Sequence, residues 1–277
     1  GGERAIELPV LLISPNAKGK QKHAAVVMFA QSGKAKLLEH RAGVIASLLD
    51  SGVAVCLPDL RGTGETAPSN YRGRRSYATG ISSSELMLGQ TLVGSRLKDL
   101  RTVLAVLRKR EDVDAARIAI WGDSLADVNG PNDPVDVPLG IDYEPKRSEP
   151  LGQMLALLAG LYEEDVAAVV AARGGLPGFG ATLESGACHF PHDIVVPGAV
   201  MAGDLTDLAA IVAPRPLLIS GLVSGVNRHV SASAVDAAYA PARSAYQESK
   251  AGKRFVVRQD AEPNAEFALW LVQSLGR

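Results

Sequence analysis

The sequence predicts an α/β domain with a doubly wound, mainly parallel sheet between two helical layers, a three-layer αβα arrangement. Three observations predict it. Short apolar runs recur along the chain, segments with apolar residues at helical spacing lie between them, and the runs are apolar throughout rather than alternating. Strands buried on both faces require that last pattern, and right-handed crossovers place helices on both faces only when the sheet is doubly wound.

The elements follow in order. Ile6 to Ile13 has strand character and is expected as an antiparallel edge, and Ala24–Ala30 is a continuous apolar strand. Leu37 to Leu49 places Leu, Val and Ile at helical spacing until Gly52 stops it, and Val53–Leu57 is the next strand. A polar, Gly-rich loop from Pro58 to Glu65 follows. Leu86 to Arg110 repeats apolar residues at three and four (Leu97, Leu100, Val103, Leu104, Leu107), predicting one long amphipathic helix before the strand Arg117–Trp121. Leu151 to Tyr162 reads as a helix, Val166–Ala172 as a strand, Leu205 to Ile211 as a short helix and Pro216–Ser220 as a strand. Ala232 to Lys250 is helical, Phe255–Val257 is the last strand and Glu262 to Leu275 the last helix.

Composition narrows the function classes. With 277 residues, 47% of them hydrophobic, the chain can bury a large core as one domain, and no linker divides residues 1–277. A net charge of −1 gives nothing to attract nucleic acid or an anionic membrane, and the longest apolar runs fall short of a membrane span. A soluble protein is expected. Its opening at Gly1-Gly2, without Met or a signal-like segment, reads as a fragment or processed part of a longer protein, with secreted or periplasmic placement if a targeting segment was removed. Two cysteines make no disulfide framework, and Cys56 reads as a small core hydrophobe.

The segment RIAIWGDSLA, Arg117 to Ala126, carries the chemistry. A short strand runs into Gly-Asp-Ser-Leu-Ala, nearly the G-x-S-x-G turn that projects a serine hydroxyl from the end of a central strand, with Ala126 in place of the second glycine. Ser124 is the nucleophile candidate. The loop Arg61 to Gly64 lacks a phosphate-binding Lys and dinucleotide spacing, so no nucleotide cofactor is expected; Asp59 and Arg61 read as a local ion pair, and Asp204 and Asp207 as caps of the helix at Leu205.

In order and spacing, VVMFAQSGKAK, VAVCLPDLRGTGET, RIAIWGDSLA, PRPLLISG and RFVVRQD together resemble the α/β-hydrolase superfamily over almost the whole chain, and more narrowly its bacterial acetyl xylan esterase-like branch. The loop Asp59 to Gly64 and the strand entry Ala213 to Leu218 are the most specific shared pieces. The resemblance implies the α/β-hydrolase fold and hydrolysis of a carboxylic ester, acyl or acetyl and carbohydrate-linked in this branch, by Ser124. The Leu125 amide would be one oxyanion donor, and Gln31 or Ser32 would supply the second.

The same resemblance places an acid after the strand PLLISG and a His after the last strand. Here those positions hold Ser224 and Asn264-Ala265, a degenerate triad. A protonated serine without a base is a poor nucleophile. Segment 127–150, with Pro131, Pro134 and Pro138, cannot be the helix that follows such a turn and is expected as an insertion or lid loop. Of the five histidines, His23 starts a strand and His40 lies on a helix, while His192 and His229 fall in loops at the carboxyl ends of parallel strands, where a replacement base would come from. His189, His192 and Asp193 have an H-x-x-H spacing, but with no further clustered ligands no metal is assigned. The readings left open are a serine esterase with a rearranged or incomplete triad, a catalytically silent hydrolase-fold domain with a structural or partner-binding role beside another domain of the same longer chain, and an engineered inactive variant.

Overall fold

In the computed structural model, residues 6–16, 21–68, 76–137, 143–184, 186, 188–259 and 263–276 are described. Part of the segment after Ser124 (138–142) and the start expected for the last helix (262) lie outside them. The strands are β1 (Val10–Ile13), β2 (His23–Ala30), β3 (Val53–Pro58), β4 (Val113–Asp123), β5 (Ala168–Ala172), β6 (Leu217–Ser220) and β7 (Phe255–Arg258). They form one sheet in the order β1-β3-β2-β4-β5-β6-β7. All neighbours are parallel except β1, which pairs antiparallel with β3 at the edge, as the sequence predicts.

The helices are α1 (Lys34–His40), α2 (Ala42–Asp50), α3 (Tyr77–Met87), α4 (Leu92–Arg108), α5 (Leu151–Tyr162), α6 (Phe179–Glu184), α7 (Ala199–Ala202), α8 (Leu205–Ile211), α9 (Ala232–Ala238), α10 (Ala240–Glu248) and α11 (Ala265–Leu275). Period-two alternation along β2 divides the core between the two faces of the sheet. Ala25, Val27 and Phe29 join residues of α4, α5, α8 and α10 on one face, and Val26, Met28 and Ala30 join those of α1, α2 and α11 on the other. Cys56 is buried, which pushes its thiol up to about 12 and confirms its role as core filler.

Three predicted helices prove to be pairs. Leu86–Arg110 divides at Gly89, whose φ of +73° favours glycine, and α4 restarts at Thr91, whose side chain accepts the Gly94 amide. The helix expected over Leu37–Leu49 breaks at Arg41, a residue that leaves helical geometry with its guanidinium on buried Asp123. Ala232–Lys250 breaks at Tyr239, ahead of a proline in the first turn of α10. Asp204 and Asp207 form the expected reciprocal cap of α8.

Candidate active site at the carboxyl edge of the sheet

β4 is central in the sheet, and Ser124 follows its last residue. The Ser124 amide donates to the Ala172 carbonyl at 3.1 Å and to Asp123 Oδ1 at 2.8 Å, which fixes the turn against β5. Its Oγ accepts the Ala126 amide at 3.2 Å and packs on Gly174, where a Cβ would lie 2.5 Å from it. Ser124 is 0% exposed. Non-glycine residues with positive φ among the described residues are Arg173, Asn227 and Lys250, so Ser124 lacks the left-handed backbone that lifts a nucleophile out of its strand.

Beside Ser124, α5 begins immediately against the end of β4. A Cβ on Gly122 would stand 1.9 Å from the Gly152 carbonyl oxygen, and one on Gly152 would stand 2.4 Å from that of Asp123. Gly152, from beyond segment 127–150, is therefore the small residue on which the end of β4 packs. That segment is tied down: Asn129 Nδ2 donates to the carbonyls of Lys146 and Val226, and Arg228 donates to that of Asp133. Asp123 faces away from the rim, where Arg41 donates to both its oxygens and Trp121 Nε1 to one. Burial pushes its carboxyl up, and the Arg41 bonds pull it back.

A polar cluster that the sequence does not announce lies on the same rim. Gln31 Nε2 donates to the Tyr77 hydroxyl at 3.2 Å, and Tyr77, Glu149, Asp193 and Arg96 interact electrostatically. Arg96, wholly buried, pairs with Asp193 and donates to the carbonyls of Arg61 and Gly62. Burial, then the Asp193 charge, pushes Glu149 up to about 7 against the pull of Arg96. Gln31 Oε1, Ser32 Oγ, Ser148 Oγ, Glu149 Oε2 and Asp193 Oδ1 are buried without a hydrogen-bond partner, so the cluster presents chiefly acceptors. One signal was available in the sequence: Glu149 and Pro150 directly precede an apolar helix, the place for a carboxylate at a helix start.

One sequence reading is corrected. Asp59 and Arg61 do not pair with each other: Asp59 accepts Lys34 Nζ at 2.7 Å with the Lys34 and Glu65 amides, while Arg61 forms a two-pronged pair with Asp99. Each carboxylate goes to the cation that packing brings to it. Asp193, read beside His189 and His192, is committed to Arg96, and among the described residues no three His, Cys, Asp or Glu side chains cluster closely enough to hold a metal.

No protein-family model and no curated protein matches the chain. Solved structures do. A Bacteroides fragilis protein described as an acetyl xylan esterase superposes with a TM-score of 0.61 at 14% identity, over 92% of this chain and 67% of its own. The glucuronoyl esterase from Solibacter usitatus gives 0.58 at 14% identity, over 97% and 77%. The 2,6-dihydroxy-pseudo-oxynicotine hydrolase gives 0.54 at 18% identity, over 99% and 66%. This chain has the α/β-hydrolase fold. It spans about two thirds of the first and last of these proteins and 51% of a similar methylesterase.

Each position at which the resemblance expects a triad partner of Ser124 has a structural occupation. Ser224 closes a turn after β6, its Oγ accepting the Arg228 amide at 3.3 Å. Asn264 caps α11 by accepting the Glu266 amide, and Ala265 is that helix's first residue. Residues 260–262, between β7 and this cap, lie outside the described set and include no histidine in the sequence. His192 is exposed, its amide on Thr79 Oγ1 and its carbonyl accepting Ser82 Oγ; His229 is exposed, with its backbone bridged to Val223. Among the described residues no imidazole bonds to Ser124 Oγ. Of the oxyanion candidates, Gln31 is held by Tyr77, Ser32 Oγ is one of the unpartnered atoms, and Leu125 is half-buried beside Ser124.

Proposed function

We propose that this chain is a catalytically silent α/β-hydrolase-fold domain with a structural or partner-binding role. One observation carries the reading: the Ser124 hydroxyl is buried and accepts the Ala126 amide, and among the described residues no imidazole hydrogen-bonds to it. A serine hydroxyl keeps its proton at neutral pH unless a base within hydrogen-bond reach takes it, and loss of that base removes several orders of magnitude of rate. Ser224 and Asn264, engaged in a turn and a helix cap, support the same reading. Labelling with a serine-directed fluorophosphonate and turnover of p-nitrophenyl acetate test it. The expected result is no label and equal background turnover for the wild type and Ser124→Ala; labelling that Ser124→Ala abolishes would overturn it.

A second reading, a serine carboxylic ester hydrolase with a rearranged site acting on an acyl or acetyl ester, small or carbohydrate-linked, draws on Glu149. This carboxyl is held near 7, and the Glu149 carbonyl and Ser124 Oγ both abut Gly174. A base poised near neutrality suits proton abstraction, and the cluster's acceptors suit hydroxyl groups of a ligand. That reading requires turnover rising through about pH 7 and lost in both Glu149→Gln and Ser124→Ala. Whichever holds, no helix among the described residues is long and apolar enough to cross a membrane.

A further inference from the structure

Two grooves meet along α4, away from the rim. The larger, of about 680 Å³, carries Arg61, Lys98, Arg101, Arg108 and Lys109 against two carboxylates, Asp99 and Glu163. Both carboxylates are spent: Asp99 takes Arg61 through both oxygens, and Glu163 takes Arg101 and Arg108. Lys98 and Lys109 are exposed and have no ion pair among the described residues, and Arg108 Nε is buried without a partner. Helical spacing puts Lys98, Arg101, Thr102, Val106 and Lys109 along one exposed side of α4.

The second groove, of about 380 Å³, shares Thr102 and Val106 with the first, carries Arg110, which is paired with Asp112, and is otherwise apolar. Ile6, Leu8, Val10 and Leu12, on one face by period-two alternation, form its wall opposite Val103, Val106 and Leu107. Val106 is 60%, Val10 45% and Ile6 39% exposed, a large apolar surface left to water. Among the described residues β1 is the sheet edge and pairs with β3 on one side.

We propose that this face docks an acidic, amphipathic polypeptide segment, whose apolar side chains enter the groove over Val103, Val106 and Leu107 and whose carboxylates reach Lys98 and Lys109. Charge complementarity selects an anion, and the adjoining apolar groove selects a polypeptide among anions, since nucleic acids and acidic polysaccharides have no aliphatic side chains to fill it. The surface is independent of Ser124 and of the rim.

Fluorescence anisotropy with a labelled peptide of alternating Glu and Leu tests this. The peptide is expected to bind and to weaken as salt rises to roughly 0.5 M, while the Lys-Leu counterpart does not bind. The exposed double change Lys98→Glu/Lys109→Glu is expected to weaken binding about tenfold or more, and Val106→Asp similarly. Lys36→Glu, on α1, is expected to leave it unchanged. Circular dichroism verifies that each variant is folded. The proposal is overturned if the Glu-Leu peptide does not bind, if the α4 variants bind it like the wild type, or if poly-L-glutamate or heparin binds equally well, which would leave the apolar groove without a part.

Discussion

Gly122 at the end of β4 and Gly152 in the first turn of α5 touch so closely that neither tolerates a side chain. Their contact brings the start of α5 against the end of β4, directly before Ser124. Gly122→Ala drives a methyl into the Gly152 carbonyl, a backbone atom that cannot swing aside. A loss of about 3 kcal/mol or more is expected in urea unfolding. A neutral result would mean that β4 and α5 can separate freely.

Stability should carry a pH signature from Glu149. Its carboxyl is raised from 4.5 to about 7 in the folded state. Below 4.5 both states hold the proton and the group costs nothing; between 4.5 and 7 the folded state keeps a proton that the unfolded chain has released, so stability falls as pH rises. Above 7 the full cost stands, on the order of 3 kcal/mol, with Asp193 and Asp123 shifted in the same direction. Urea midpoints at about pH 5 and pH 8 should therefore differ for the wild type and differ less for Glu149→Gln. An equal difference in the two proteins would remove Glu149 as its source.

Arg96 and Asp193 form a wholly buried pair. Arg96→Met leaves the carboxylate uncompensated, at an expected cost of about 3–5 kcal/mol. Adding Asp193→Leu should return much of that loss, because the unpaired charge is then gone. The double-mutant cycle by chemical denaturation reads this directly, and additive losses would contradict it.

Restoring triad side chains should not restore catalysis. In Ser224→Asp/Asn264→His the expected p-nitrophenyl acetate turnover stays at background, since Ser124 Oγ remains buried under its own turn. A gain of several orders of magnitude would show that the missing side chains, and not the burial of Ser124, keep the site silent.

The sequence by itself determined the fold class, the edge strand and the central strands, because apolar periodicity is a local code for what each segment buries. It also placed Ser124 at the end of a central strand, because the strand Arg117 to Trp121 runs straight into it. The break at Arg41 was not legible, since the periodicity runs through it and it depends on a distant partner, Asp123. Only the tertiary structure decided that Gly152 packs on the end of β4, that Asp59 belongs to Lys34 and Arg61 to Asp99, and that Ser124 is closed off from water. It alone decided the state of Glu149 too. These are properties of burial and of contacts between residues far apart in the chain, and a proton's affinity for a carboxylate is set by its surroundings, which no local pattern encodes.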